Sequence, residues 1–209
     1  MLTAIMRHSK LLPKYLYRGD KDPHNHRQLR ATINSGLLLT NLCNGGNGRE
    51  IFSKPFGQLI NKHIGIGWDK THFLSFSTDE STAINYGCHN MDYDELYDLK
   101  ENWDFAVFTC DTALLIDDSI KEIETGIFVA EFPPICKEFL PTFKVILIDA
   151  LNYLKNITNK PFDIKPAIAN AAKDKEWLIL PASPFGLIGE FTAKLDANCI
   201  SDKKVFKLR

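Results

Sequence analysis

Hydrophobic and polar positions divide the chain into a front part with helical spacing and a back part of short apolar runs. Tyr15–Arg18 reads as a short strand. A helix is expected next: Asp22 suits its cap, Pro23 its first turn, Leu29 and Ile33 share a face, and Gly36 ends it. Thr71–Ser77 reads as a strand entering a second helix, with Ser77 and Glu80 forming a capping box and Gly87 at its end. Residues 105–116, 126–132, 145–150 and 176–180 are apolar runs of strand length, while 191–195 and 204–208 alternate and close the sheet. Helices early and strands late predict an α+β fold rather than alternating α/β.

Composition narrows this picture. The 209 residues, 44% hydrophobic, suit a single globular domain spanning 1–209. A net charge of -1 gives no basic field for nucleic acid or an anionic membrane, and neither partner is expected. Five cysteines, an odd number without C-x-x-C spacing, argue for free thiols rather than a disulfide framework or zinc knuckle. The first fourteen residues carry Arg7, Lys10 and Lys14 and no long apolar stretch, so no Sec signal or membrane span is expected. Asn44–Gly48, NGGNG, lacks the Gly-Lys-Ser/Thr ending of a phosphate loop. Residues 90–102 form an acidic segment expected at the surface.

Three polar groups interrupt apolar strands. Arg18 shares a strand face with Leu16; a buried guanidinium there suits a phosphate or carboxylate, or a structural ion pair with Asp20 or a distant acid. Ser75 and Ser77 share a face opposite Leu74 and Phe76. Ser77 has a capping task, whereas Ser75 has no local one: it could hold a carboxylate or simply be a satisfied polar residue. Asp174 and Glu176 point the same way if the segment is extended, and two acids on one apolar face repel and resist desolvation. That pair fits either chemistry or a strand end emerging into solvent.

Taken in order, these segments resemble the R-S-E class of mono-ADP-ribosyltransferases, the cholera toxin and heat-labile enterotoxin A-chain type. Leu16-Tyr17-Arg18-Gly19-Asp20, followed by Ser35-Gly36-Leu37-Leu38, resembles the family's opening segment. Phe73-Leu74-Ser75-Phe76-Ser77, with Ala83 beyond, resembles its serine strand, and Glu176 with the loop through Pro184 and Phe185 to Gly189 its glutamate region. Phe76 stands where Thr is common, and Asp174 where Glu is usual in enzymes that modify arginine.

The resemblance implies two packed, mostly antiparallel sheets with flanking helices around an NAD cleft. It implies NAD as substrate, no metal, and an acceptor protein modified on a side chain, with arginine favoured. Glu176 would stabilise the cationic ribose and bind a ribose hydroxyl, Ser75 would orient Glu176, and Asp174 would place or deprotonate the acceptor. Arg18 would hold the NAD phosphates beside Gly19, Ser77 would also line the cofactor site, and Phe185 would meet the acceptor. Phe185 and Tyr86 are the aromatic candidates for stacking nicotinamide, against core packing for each. Trp177, on the opposite strand face, is expected in the core. Glu131 and Glu190 are the other candidate carboxylates, and the six histidines make no convincing metal set.

Three alternatives remain. The His-Tyr-Glu branch of the same fold needs a histidine where Arg18 stands. An NAD glycohydrolase would use water in place of an acceptor, and a degenerate relative would only bind a partner protein. The expected setting is a bacterial effector or toxin secreted into a target cell's cytoplasm, the alternative a cytoplasmic role in its own cell.

Overall fold

The computed structural model describes residues 12–20, 30–33, 54–65, 73–89, 103–115, 120–131, 143–157, 163–181, 191–194 and 200–208. In chain order these form β1 (Tyr15–Asp20), β2 (Arg30–Ile33), α1 (Lys54–Gly65), β3 (Leu74–Ser77), α2 (Glu80–His89), β4 (Trp103–Asp111), α3 (Thr112–Leu115), β5 (Ile120–Glu124), β6 (Ile127–Glu131), β7 (Phe143–Asp149), α4 (Ala150–Asn156), α5 (Lys165–Asp174), β8 (Glu176–Pro181), β9 (Phe191–Lys194) and β10 (Ile200–Leu208). The chain divides into two compact units, one comprising residues 1–29, 76–115 and 196–209, the other residues 30–75 and 116–195.

In the first unit β4 lies between β10 and β1, both antiparallel to it, and β1 pairs antiparallel with the end of β3 through Tyr17 and Ser77. Strand alternation sends Tyr17 and Gly19 toward α2, where Tyr17 and Ile84 pack against buried Ala83, Phe105 and Val107. Gly19 is required there, because a Cβ would run into the Ala83 carbonyl oxygen and the Gly87 nitrogen. Leu16 and Arg18 take the other face, with Leu16 fully buried. Asp111 accepts from the Ala113 N–H at 2.9 Å to start α3, and the Thr112 hydroxyl donates to the Pro13 carbonyl at 2.6 Å.

In the second unit β8, β7, β6 and β5 pair in that order, each antiparallel to the next. β2 and β9 form a separate antiparallel ribbon, Arg30 opposite Lys194 through Ile33 opposite Phe191. The core joins the sheet to α1, α4 and α5: Phe56, Ile60 and Ile64 meet Ile127, Ile146, Ile148 and Leu178, with Tyr153, Leu154, Ala167 and Ala171. Phe56 meets Phe73 and Tyr153 edge-on, at ring distances of 5.8 and 6.0 Å. Gly126 has φ +80, a conformation that glycine adopts without penalty, and its carbonyl accepts from the Asp149 N–H at 2.9 Å. On β8, Leu178 faces this helix-covered core, so Glu176, two residues before it, faces the same way.

The molecule is thus a mix of helices and antiparallel sheet, which fits α+β. Several local expectations are corrected. Residues 30–33, expected at the end of a helix, are a strand, because Thr32 and Ile33 suit a ladder and Thr192 and Phe191 supply one. Ser77 does not cap α2. Asp79 does, accepting from the Ser81 N–H at 3.2 Å, while Ser77 accepts from the Asp79 N–H at 3.0 Å in a turn of its own. Gly87 does not end that helix, which runs to His89. The run to Ile116 bends into α3 after Asp111. Helices are not confined to the front, since α4 and α5 separate β7 from β8; and β9 joins β2 instead of closing the larger ladder. The expected helix start at residues 22–29, Ser35–Leu38, NGGNG, the acidic segment, the loop containing Phe185, and Glu190 lie outside the described residues.

Candidate functional site: a braced carboxylate

Four polar side chains converge in the second unit. α1 buries the stripe Phe56, Ile60, Ile64, and His63 falls on that stripe, seven residues after Phe56 and three after Ile60. His63 is therefore only 4% exposed, with its ring edge-on to Phe73 at 5.5 Å. Its Nε2 lies 2.7 Å from Ser75 Oγ on β3. Glu176 opens β8, its side chain 11% exposed and its Oε1 4.0 Å from the same Nε2.

The Glu176 carboxyl is pushed up to about 7. Burial among apolar side chains is the main cause; a hydrogen bond from Ser75 pulls the other way, and the nearby Asp174 charge adds to the rise. A carboxyl raised toward neutral pH is able either to hold a cation or to move a proton.

Asp174 is not on the strand. It is the last residue of α5, and Lys175 turns the chain in one step with φ 49 and ψ 48, its N–H donating to the Ala171 carbonyl. The left-handed turn explains why the extended Asp-x-Glu expectation fails while the two acids still interact. It also delivers Glu176 to β8 without a loop, so a well-packed helix fixes the approach of the carboxylate.

Ser75, Asp174 and Glu176 are thus brought together as a group. Arg18, Gly19 and Ser77 belong to the first unit. There the Arg18 guanidinium is pulled below its ordinary pKa by burial, against Asp20, which raises it. The residue as a whole keeps some accessible surface; the desolvated guanidinium decides its electrostatics. Ser77 is buried and engaged with Asp79. Tyr86, on α2, is 44% exposed, whereas Trp177 is buried and stacks on Phe128 at 5.7 Å, as the strand alternation predicts. Cys110 is buried on β4. Phe185 lies outside the described residues.

His63 is the residue that sequence reasoning passed over. Its signal was present: an imidazole at the i+7 position of an apolar helical stripe, within a helix the sequence reading did not anticipate. Serine, histidine and glutamate together invite comparison with a hydrolytic triad, but there the acid binds the imidazole nitrogen remote from serine. Here Glu176 bonds to the serine and approaches Nε2, so the three do not form that triad. Among the described residues no group of three or more His, Cys, Asp or Glu side chains could hold a metal ion, and no helix is long and apolar enough to cross a membrane. No family model matches the chain, and no curated protein or solved structure matches it either.

Proposed function

We propose that the chain is a mono-ADP-ribosyltransferase that cleaves NAD and passes ADP-ribose to a protein side chain, with arginine the favoured acceptor. One observation carries this: a largely desolvated carboxylate, Glu176, hydrogen-bonded by Ser75 and flanked by Asp174, on an otherwise apolar strand. The fold proposed with it is the ADP-ribosyltransferase fold, for which the mix of helix and antiparallel sheet is a necessary background.

The bond between nicotinamide and the ribose C1′ breaks, its electron pair leaves with nicotinamide, and positive charge develops on the sugar. Ionised Glu176 stabilises that charge, and Ser75 holds the carboxylate in one orientation, so little reorganisation is needed as charge appears. Asp174, at the mouth of the α5–β8 turn, places the acceptor guanidinium and receives its proton as the new C1′–N bond forms. The resemblance assigns Arg18 and Gly19 to the NAD phosphates, Ser77 to the cofactor and Phe185 to the acceptor protein. The protein acts as an effector or toxin inside a target cell.

Incubation with labelled NAD and a cell lysate, followed by mass spectrometry of the acceptors, tests this. Label on arginine with the wild type, and none with Glu176→Ala, is expected. Nicotinamide release without any labelled protein would replace transfer by NAD hydrolysis; neither label nor release would overturn the enzyme reading. Expression inside a target cell should be tolerated far better for Glu176→Ala than for the wild type, and equal tolerance would reject the toxin role.

A further inference from the structure

The Ser75 hydroxyl has one proton and two neighbours that want it. When Glu176 is ionised, its carboxylate can only accept, so Ser75 must donate to it. The 2.7 Å contact between Ser75 Oγ and His63 Nε2 is then satisfied in one way: Nε2 carries a hydrogen and donates to the serine oxygen. We propose that His63 is a positioning residue, its Nε2–H donating to Ser75 Oγ and thereby turning the serine proton onto the Glu176 carboxylate. This rests on Glu176 being the working acid of the proposed transferase, but its test does not use NAD.

Geometry limits the imidazole to this task. The ring is buried and held edge-on against Phe73, and its Nε2 is 4.0 Å from Glu176 Oε1, too far for a direct hydrogen bond. A neutral imidazole therefore acts on Glu176 through the serine, whereas a protonated one would also attract the carboxylate directly across 4.0 Å; rescue by a neutral amide separates the two. Hydrogen bonds in such a chain reinforce one another, because a hydroxyl that accepts becomes a better donor. Other charged residues on the elements packed around β8 are Lys54 and Lys62 on α1, Lys144 and Asp149 on β7, Lys155 in the last turn of α4, and Lys165, Lys173 and Asp174 on α5, with Lys175 in the turn. Asp149 is occupied at the start of α4, accepting from the Asn152 N–H at 3.0 Å, and Asp174 is the group that raises Glu176.

Titration of the Glu176 side-chain carboxyl by carbon-13 NMR tests the relay. His63→Phe keeps the ring packing and removes the donor; the carboxylate loses its oriented partner, and its midpoint should rise by roughly one unit. His63→Gln supplies an amide N–H in the same region and should bring the midpoint back toward the wild-type value. A purely structural histidine predicts no shift in the folded Phe variant and no rescue by Gln, and either result overturns the proposal. If His63→Phe does not fold, nitrogen-15 NMR of the wild-type imidazole decides. Well above the Glu176 midpoint Nε2 should carry hydrogen, and a bare Nε2 there would overturn the relay. A relay confirmed in a protein that leaves NAD intact would reject the transferase function alone.

Discussion

The β1–α2 region and the α1–β3–β8 region both place polar groups on apolar strands, yet they use them differently. In the first, three local contacts shape the chain itself: Ser77 shapes the turn into α2, Asp79 caps the helix, and Gly19 lets that helix settle onto β1. In the second, Asp174 raises and Ser75 restrains the proton affinity of one carboxylate, and His63 contacts that serine. Two serines two residues apart show the contrast. Ser77 bonds two residues along the chain, whereas Ser75 reaches a helix twelve residues earlier and an acid about a hundred residues later. Polar groups spent on local geometry stabilise; polar groups converging on a buried charge cost stability, which is the pattern of a site kept for chemistry.

The largest effect that can break this contrast is steric. Gly19→Ala forces a methyl group into the Ala83 carbonyl, and urea unfolding should show a loss of about 3 kcal/mol; a near-neutral result would mean that α2 does not rest on β1. Next comes the charge itself. The native carboxyl of Glu176 titrates near 7 against an ordinary value of 4.5, so the folded state binds its proton more tightly. Stability from this group is full below the ordinary value and is lost as pH rises through 7, a window worth roughly 3 kcal/mol at most. Glu176→Gln should therefore be more stable than wild type at pH 8, by about 2 kcal/mol, and gain little at pH 5. Equal stability at both pH values would show a hydrated, ordinary carboxylate. The smallest effect belongs to Ser77→Ala, which should lose about 1 kcal/mol through its turn hydrogen bond, with no change between pH 6 and 8; a pH-dependent loss would tie Ser77 to the acid cluster.

The strands and the acid were legible in the sequence for the same reason. Apolar runs such as Ile146–Ile148 and Trp177–Ile179 announce buried strands, and a charge inside one stands out. Ser75 was legible as a polar residue without a local task. The helices were harder. α5 depends on Ala167 and Ala171, small residues whose value lies in close approach to neighbours rather than in a strong apolar stripe. Residues 30–33 carried a helical spacing that pairing with β9 overrode, a tertiary preference no local pattern contains. His63 was missed because its signal, a place on an apolar helical stripe, shows only once α1 is recognised as a helix; it acquires meaning when α1 is placed beside β3. The Asp174–Glu176 pair was found for an incomplete reason, since its proximity comes from a left-handed turn at Lys175 and not from strand alternation.

Nicotinamide release from NAD across pH, in wild type and Glu176→Gln with folding checked by circular dichroism, addresses the working carboxylate most directly. Release by the wild type should climb through a midpoint near 7 as Glu176 ionises, and the Gln variant should fall by about a hundredfold to a thousandfold at every pH. A folded Gln variant that releases nicotinamide as fast as wild type would contradict the account.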